Sequence, residues 1–245
     1  MGTITTDLKE AFRRGNVFIQ LIYINVGIFV ATALINILLQ LFNRSAAGIF
    51  ELLALPASFT RFILQPWSLF TYMFMHGGFS HIFFNMFAVF MFGTVLERTW
   101  GPKRFLFYYI ACGIGAGLIQ EGVQYIKYIV DYSHYSQVDI GTGIIPMGEF
   151  LNMLTTVGAS GAVYAILLAF GMLFPNNQLF IFPLPFPIKA KFFVIGYALI
   201  ELYAGFANNP GDNVAHFAHL GGMIFGFILI MYWRKKSRNN GTYYN

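Results

Sequence analysis

Charge is scarce in this chain. Lysine, arginine, aspartate and glutamate together supply 10% of its 245 residues, where a soluble globular domain carries about a quarter. Too few charged groups are present to solvate the surface of a water-soluble domain of this length. Cysteine is scarcer still: Cys112 stands alone within an apolar block, so no disulfide can form within the chain and the residue reads as a small buried hydrophobe. An HExxH pair is absent, as is any carboxylate-rich cluster of the kind a metallohydrolase needs. What the chain has instead is apolar length. Hydrophobic residues make up 57%, phenylalanine alone contributes 29, and the apolar residues fall into about six blocks near the ~20 residues that cross a bilayer as a helix. The fold class is an all-α polytopic membrane protein.

The spans are expected near 17–42, 80–96, 104–125, 158–175, 189–207 and 214–233. The first is far longer than the roughly 7–15 apolar residues of a signal peptide, and no small-residue cleavage site follows it. Basic residues orient the bundle through the positive-inside rule. With the N-terminus inside, the inner segments hold Lys9, Arg13, Arg14, Arg98, Lys103, Arg104, Lys189, Lys191, Arg234, Lys235, Lys236 and Arg238, leaving only Arg44, Arg61 and Lys127 outside. Five- and seven-span parsings give no such split. The net charge of +5 therefore belongs to topology and anionic headgroups, and nucleic acid is excluded as a partner. The organisation is a short cytoplasmic tail (1–16), a six-span domain (17–233) and a basic cytoplasmic tail (234–245).

Two segments are unlike simple anchors. Residues 43–78 are too apolar for free solution yet broken by Pro56 and Pro66, and read as interfacial or partly embedded. The fourth span, from Ser160 to Phe174, would rise only about 22 Å against a hydrocarbon core of roughly 30 Å. Its outer end must start below the membrane surface, where irregular backbone survives only against protein or a wet cavity. Ser160 sits at that start. The Tyr-rich stretch 126–152 reads as a polar loop.

Polar side chains inside spans are candidates for function by default. Four of the five histidines cluster at the outer ends of spans: His76 and His81 at span two, His216 and His219 at span six. Spans two, four and six all run inward, so His81, Ser160 and His219 can converge at one depth. His219, Gly222 and Gly226 recur at i, i+3 and i+7 and share a face, and small residues there admit a close neighbour. Gly161 next to Ser160 suits the same contact, with Tyr164 one turn below. A serine hydroxyl needs an adjacent base; spacing alone leaves His216 and His219 both open. The first turn of span four offers free N–H groups to an anion, and His81 and Asn85, at i and i+4, could donate to it as well. Acidic residues inside the spans are few. Glu121 and Glu201 lie toward outer ends, and no carboxylate is expected at a depth to orient the histidine, so a dyad is favoured over a triad. Taken singly, each of these motifs also suits plain helix packing.

"GASGAVY" (158–164), "HGGFSHIFFN" (76–85) and "AHLGG" (218–222), with "FGTVLERTWG" (92–101), resemble the rhomboid family of intramembrane serine proteases. The resemblance covers roughly residues 60–230 and is to the bacterial six-span type, with a short central fourth helix. It implies Ser160 of Gly158-Ala-Ser-Gly161 as nucleophile and His219, which opens HxxGxxxG through Gly222, as general base and acid. It implies an oxyanion hole of His81, Asn85 and the Ser160 N–H, and Tyr164 packed on the His219 ring. His76 and His216 would hydrate the site or satisfy hydrogen bonds. Residues 43–78 would form a membrane-embedded loop, and span five with loop 206–213 a gate and cap. The activity implied is serine endopeptidase cleavage of single-span membrane proteins in or near their transmembrane segment, with no metal and no cofactor. Partners would be transmembrane substrates and the bilayer, here the bacterial inner membrane with both termini cytoplasmic. A client-binding pseudoenzyme, a metalloprotease using His81, His216 and His219, and a transporter are the competing classes.

Overall fold

The computed structural model describes residues 16–44, 47–180, 186–207 and 214–239. Lys9, Arg13 and Arg14, residues 181–185 of the loop before span five and residues 208–213 of the cap loop lie outside the described residues. Among the described residues five helices are long and apolar enough to cross a membrane: α1 (Val17–Leu41), α5 (Phe79–Trp100), α6 (Pro102–Tyr132), α9 (Ala190–Ala207) and α10 (His216–Asn239). Helix α8 (Ser160–Leu173) is apolar but has only 14 residues. Three short helices, α2 (Ala47–Leu53), α3 (Phe59–Leu64) and α4 (Ser68–Thr71), fill the connection after α1, and α7 (Met147–Met153) precedes α8.

The expected all-α character holds for the bundle, but three small antiparallel ladders join its connections: β1 (Leu55–Pro56) with β4 (Thr155–Thr156), β2 (Gln137–Asp139) with β3 (Ile144–Pro146), and β5 (Gln178–Leu179) with β6 (Ile188–Lys189). The reading of 126–152 as a polar loop is corrected. Helix α6 stays helical to Tyr132, and the β2–β3 hairpin and α7 occupy most of the remainder. Lys127 and the tyrosines beside it are polar in a sequence window, but their backbone carries on the hydrogen bonding of the long helix.

Helix starts follow local chemistry. Gly101 takes a φ of 81° and Pro102 opens α6, a glycine hinge followed by the residue that tolerates the first helical position best. Helix α1 has no side-chain cap of its own. The Glu97 carboxylate of α5 accepts from Val17 N at 2.9 Å and Phe18 N at 2.8 Å, placing an anion at the positive end of the dipole. Glu97 is buried, as are Glu121 and Glu201, so those two are not the only acids to lie within the long helices.

The core is a three-helix contact of α6, α8 and α10, made possible by missing side chains. A Cβ on Gly222 would overlap the Gly161 carbonyl, one on Gly115 the Phe225 ring, and one on Gly161 the Ala116 methyl. Tyr108 Oη donates to Ala165 O at 2.8 Å and Tyr72 Oη to Gly113 O at 2.6 Å, so polar tips at these contacts find main-chain acceptors. Helices α1 and α9 lie outside. Only 11% of the most apolar window of α1 is buried, against 44% for α6, and its exposed Leu34, Ile37 and Leu38 are a lipid-facing surface.

The segment 47–78 is held by polar contacts rather than by a continuous helix. Trp67 Nε1 donates to Leu52 O at 2.9 Å, Arg61 Nη1 to Asn152 O at 3.1 Å, and Ala57 N to Leu154 O at 2.9 Å. Its backbone thus meets protein partners at these points. The same segment fixes the approach to α8: Leu55 pairs with Thr156, and Gly158 N donates to Tyr72 O at 2.9 Å.

Candidate active site

Gly158 turns the chain into α8 with a φ of 130°, a conformation open to glycine. A Cβ here would also lie 2.7 Å from His81 Nε2, so the absent side chain is what lets the His81 ring approach. Ser160 follows as the first residue of α8, where N–H groups have no partner within the helix. Its side chain is half-buried.

Close packing at Gly161 and Gly222 brings α10 against this turn. His219 Nε2 lies 2.8 Å from Ser160 Oγ, although 59 residues separate the two in sequence. The His219 ring stacks on Tyr164, with centroids 4.2 Å apart and planes within 7°. His219 is buried, so its orientation is fixed on one face by Tyr164 and at one edge by the serine.

The other edge of the ring corrects an expectation. A carboxylate does lie at the depth of His219. Glu201 Oε2, from α9, is 2.9 Å from His219 Nδ1 and 2.6 Å from His216 Nδ1. Its Oε1 accepts a short hydrogen bond from Tyr164 Oη. Counting from span ends missed it because α8 has only 14 residues and starts at Ser160, so a residue six positions short of the Ala207 end of α9 is level with the serine. An ionised carboxylate only accepts, so His219 carries its proton on Nδ1, leaving Nε2 to accept from Ser160 Oγ–H.

The remaining residues are placed as follows. His81 flanks Gly158 across the site, while Asn85 Nδ2 donates back to the His81 carbonyl at 3.0 Å, an intrahelical bond that leaves its second N–H available. His76 is buried, its ring edge-on to that of His81 with centroids 5.1 Å apart. His216 faces Glu201. Glu201, His216 and His219 hold donor atoms within 4.8 Å of one another, but direct hydrogen bonds occupy the space between them.

The arrangement can carry acyl transfer. It has a hydroxyl bonded to an imidazole, a carboxylate on the far nitrogen, and N–H donors beside the hydroxyl. The Rhomboid domain family model matches residues 64–236, which spans every residue of this cluster. The chain belongs to the rhomboid family. It is 29% identical over 165 residues to the putative rhomboid protease YdcA of Bacillus subtilis (strain 168), covering 66% of this chain and 65% of that one. It is 29% identical to the rhomboid protease GluP of the same organism, over 82% of this chain and 33% of that one. Rhomboid protease AarA of Providencia stuartii is 30% identical over 64% of this chain and 52% of its own. The matched segments thus span between a third and just under two thirds of these relatives.

Proposed function

We propose that this rhomboid is an intramembrane serine endopeptidase that cleaves single-span membrane proteins in or near their transmembrane segment. The observation that carries the reading is the 2.8 Å contact between Ser160 Oγ and His219 Nε2 at the start of a helix too short to span the bilayer. Ser160 Oγ attacks the substrate carbonyl while its proton passes to His219 Nε2. The carbonyl pair moves onto oxygen, where the Ser160 N–H, His81 and the free N–H of Asn85 receive it. His219 then returns the proton to the leaving amine. Water entering from the outer face, activated by the same imidazole, hydrolyses the acyl-enzyme. Fourteen residues of α8 rise about 21 Å, short of a core of roughly 30 Å, and this is what brings water to the serine.

Helix α8 would be a sixth span, with residues 17–233 as the catalytic unit, both termini cytoplasmic and the site open to the outer face of a bacterial inner membrane. Helical substrates hide their carbonyls, so small or helix-breaking residues near the cleaved bond are favoured. The reading needs no metal and no cofactor.

The test is labelling of the membrane-reconstituted protein by a fluorophosphonate, alongside cleavage of a labelled transmembrane substrate. Wild type should be labelled and active; Ser160→Ala and His219→Ala should lose both while still inserting. Cleavage retained by Ser160→Ala refutes the proposal. A client-binding pseudoenzyme would take no label.

A further inference from the structure

We propose that Glu201 is a positioning residue that converts the serine–histidine pair into a three-membered relay, and that it does so from a helix contributing nothing else to the chemistry. The inference rests on the protease reading above. Three donors converge on one carboxylate: His219 Nδ1 at 2.9 Å and His216 Nδ1 at 2.6 Å on Oε2, and Tyr164 Oη on Oε1. Glu201 is 5% exposed. A carboxylate withdrawn from water at membrane depth is strongly destabilising unless it is paired and hydrogen-bonded, and here every close partner belongs to the machinery around His219. A purely structural tie between α9 and the bundle would not require both histidines and the tyrosine that stacks on the base.

The consequences are specific. With Nδ1–H donated to Glu201, the unprotonated Nε2 faces Ser160 Oγ, the tautomer that can accept the serine proton. When Ser160 attacks, its O–H bond breaks and the proton binds Nε2; the Nδ1 proton stays on the ring, and Glu201 remains ionised against the new imidazolium. The carboxylate thus fixes the tautomer beforehand and stabilises the charge that develops. His216 holds the carboxylate from the second side and Tyr164 from the third, so it cannot rotate away.

Other groups facing His219 offer no substitute. On α8 they are Ser160 and Tyr164, with Tyr197 of α9 beyond the latter, its ring centroid 6.1 Å from that of Tyr164. His81 faces it from α5, and His216 shares its own helix. From α6 the contacts with α10 near this level are made by Ile119, with Tyr108 two turns lower at Gly226. Glu201 is therefore the anion in contact with the ring.

Glu201→Gln keeps the shape, because its Oε1 can turn to the histidines and its amide to Tyr164, but removes the charge. In proteoliposomes the rate constant for fluorophosphonate labelling of Ser160 should fall about 10²-fold or more. Glu201→Asp, which restores a carboxylate, should recover the rate in part. A Glu201→Gln rate within threefold of wild type, or a loss without rescue by aspartate, overturns the role. If Glu201→Gln fails to insert, ¹⁵N-histidine NMR of the wild-type protein decides: an Nδ1–H tautomer at His219 is expected, and an Nε2–H tautomer overturns it. Wild type that takes no label at Ser160 sinks the protease reading itself, whereas labelled wild type with an indifferent Glu201 sinks only the relay.

Discussion

Ser160 and Gly158 illustrate how much of the site depends on single atoms. The glycine is needed twice over, for its φ of 130° and for the 2.7 Å that a Cβ would leave to His81 Nε2. Gly158→Ala should therefore displace His81 and strain the turn together, lowering substrate cleavage at least as much as loss of an oxyanion donor, about 10²–10³-fold. His81→Ala alone should give a loss in that range with Ser160 still slowly labelled, which separates a donor from a nucleophile. Cleavage by wild type should survive a strong chelator, since direct hydrogen bonds already join Glu201, His216 and His219. The nearness of Ser160 and His219 could be read from the sequence because both sit on small-residue faces with fixed spacing. Glu201 could not. Its partners lie on two other helices, and neither periodicity nor distance from a span end shows which way a lone acid on α9 turns. Asn85 was legible only as a position; that its amide spends one N–H on the carbonyl of its own helix is a local competition no motif shows.

The helices make their own demands. At the α8–α10 crossing the Gly222 position is filled by the Gly161 carbonyl, which is backbone and cannot swing aside. Gly222→Val must separate the two helices, and a displacement near 1 Å at the reacting atoms is worth about 10²-fold in rate. Labelling and cleavage should both fall by at least that factor, whereas valine at Gly122, where a Cβ meets nothing within 4 Å, should leave both near wild type. At the start of α1, Glu97→Gln leaves the first N–H groups with a weaker, uncharged acceptor. Thermal unfolding in detergent should show a loss of about 1–3 kcal/mol with labelling of Ser160 retained. Span positions were legible from apolar length, usually to within a few residues. The structure in 126–152 was not, because a helix continuing past its apolar stretch and a three-residue hairpin leave little hydrophobic pattern. The capping of α1 by Glu97 joins residues about 80 apart through main-chain N–H groups, which carry no sequence signature.

For the whole molecule, the question is which way the bundle faces, since that decides where water reaches Ser160. Basic residues gather on the ends that carry Lys103, Arg104, Lys189 and Arg234. There Arg104 lies 4.0 Å from the Trp233 ring centroid and Arg234 donates to Met172 O at 3.0 Å, so two of these charges also close the C-terminal ends of α8 and α10. The opposite ends carry the β2–β3 hairpin and the turn into Ser160. If the positive-inside rule governs insertion, the hairpin and the serine face outward and the C-terminal end of α10 faces the cytoplasm. The chain's single cysteine makes this measurable. Cys112 is buried beside Tyr108, and its replacement by alanine leaves a background on which new cysteines report sidedness. Ser136 and Lys235 are both exposed. In spheroplasts a membrane-impermeant maleimide should modify Ser136→Cys at once and Lys235→Cys only after lysis. Equal reaction at both before lysis, or the reverse order, would turn the bundle over and place the entry of water to Ser160 on the cytoplasmic side.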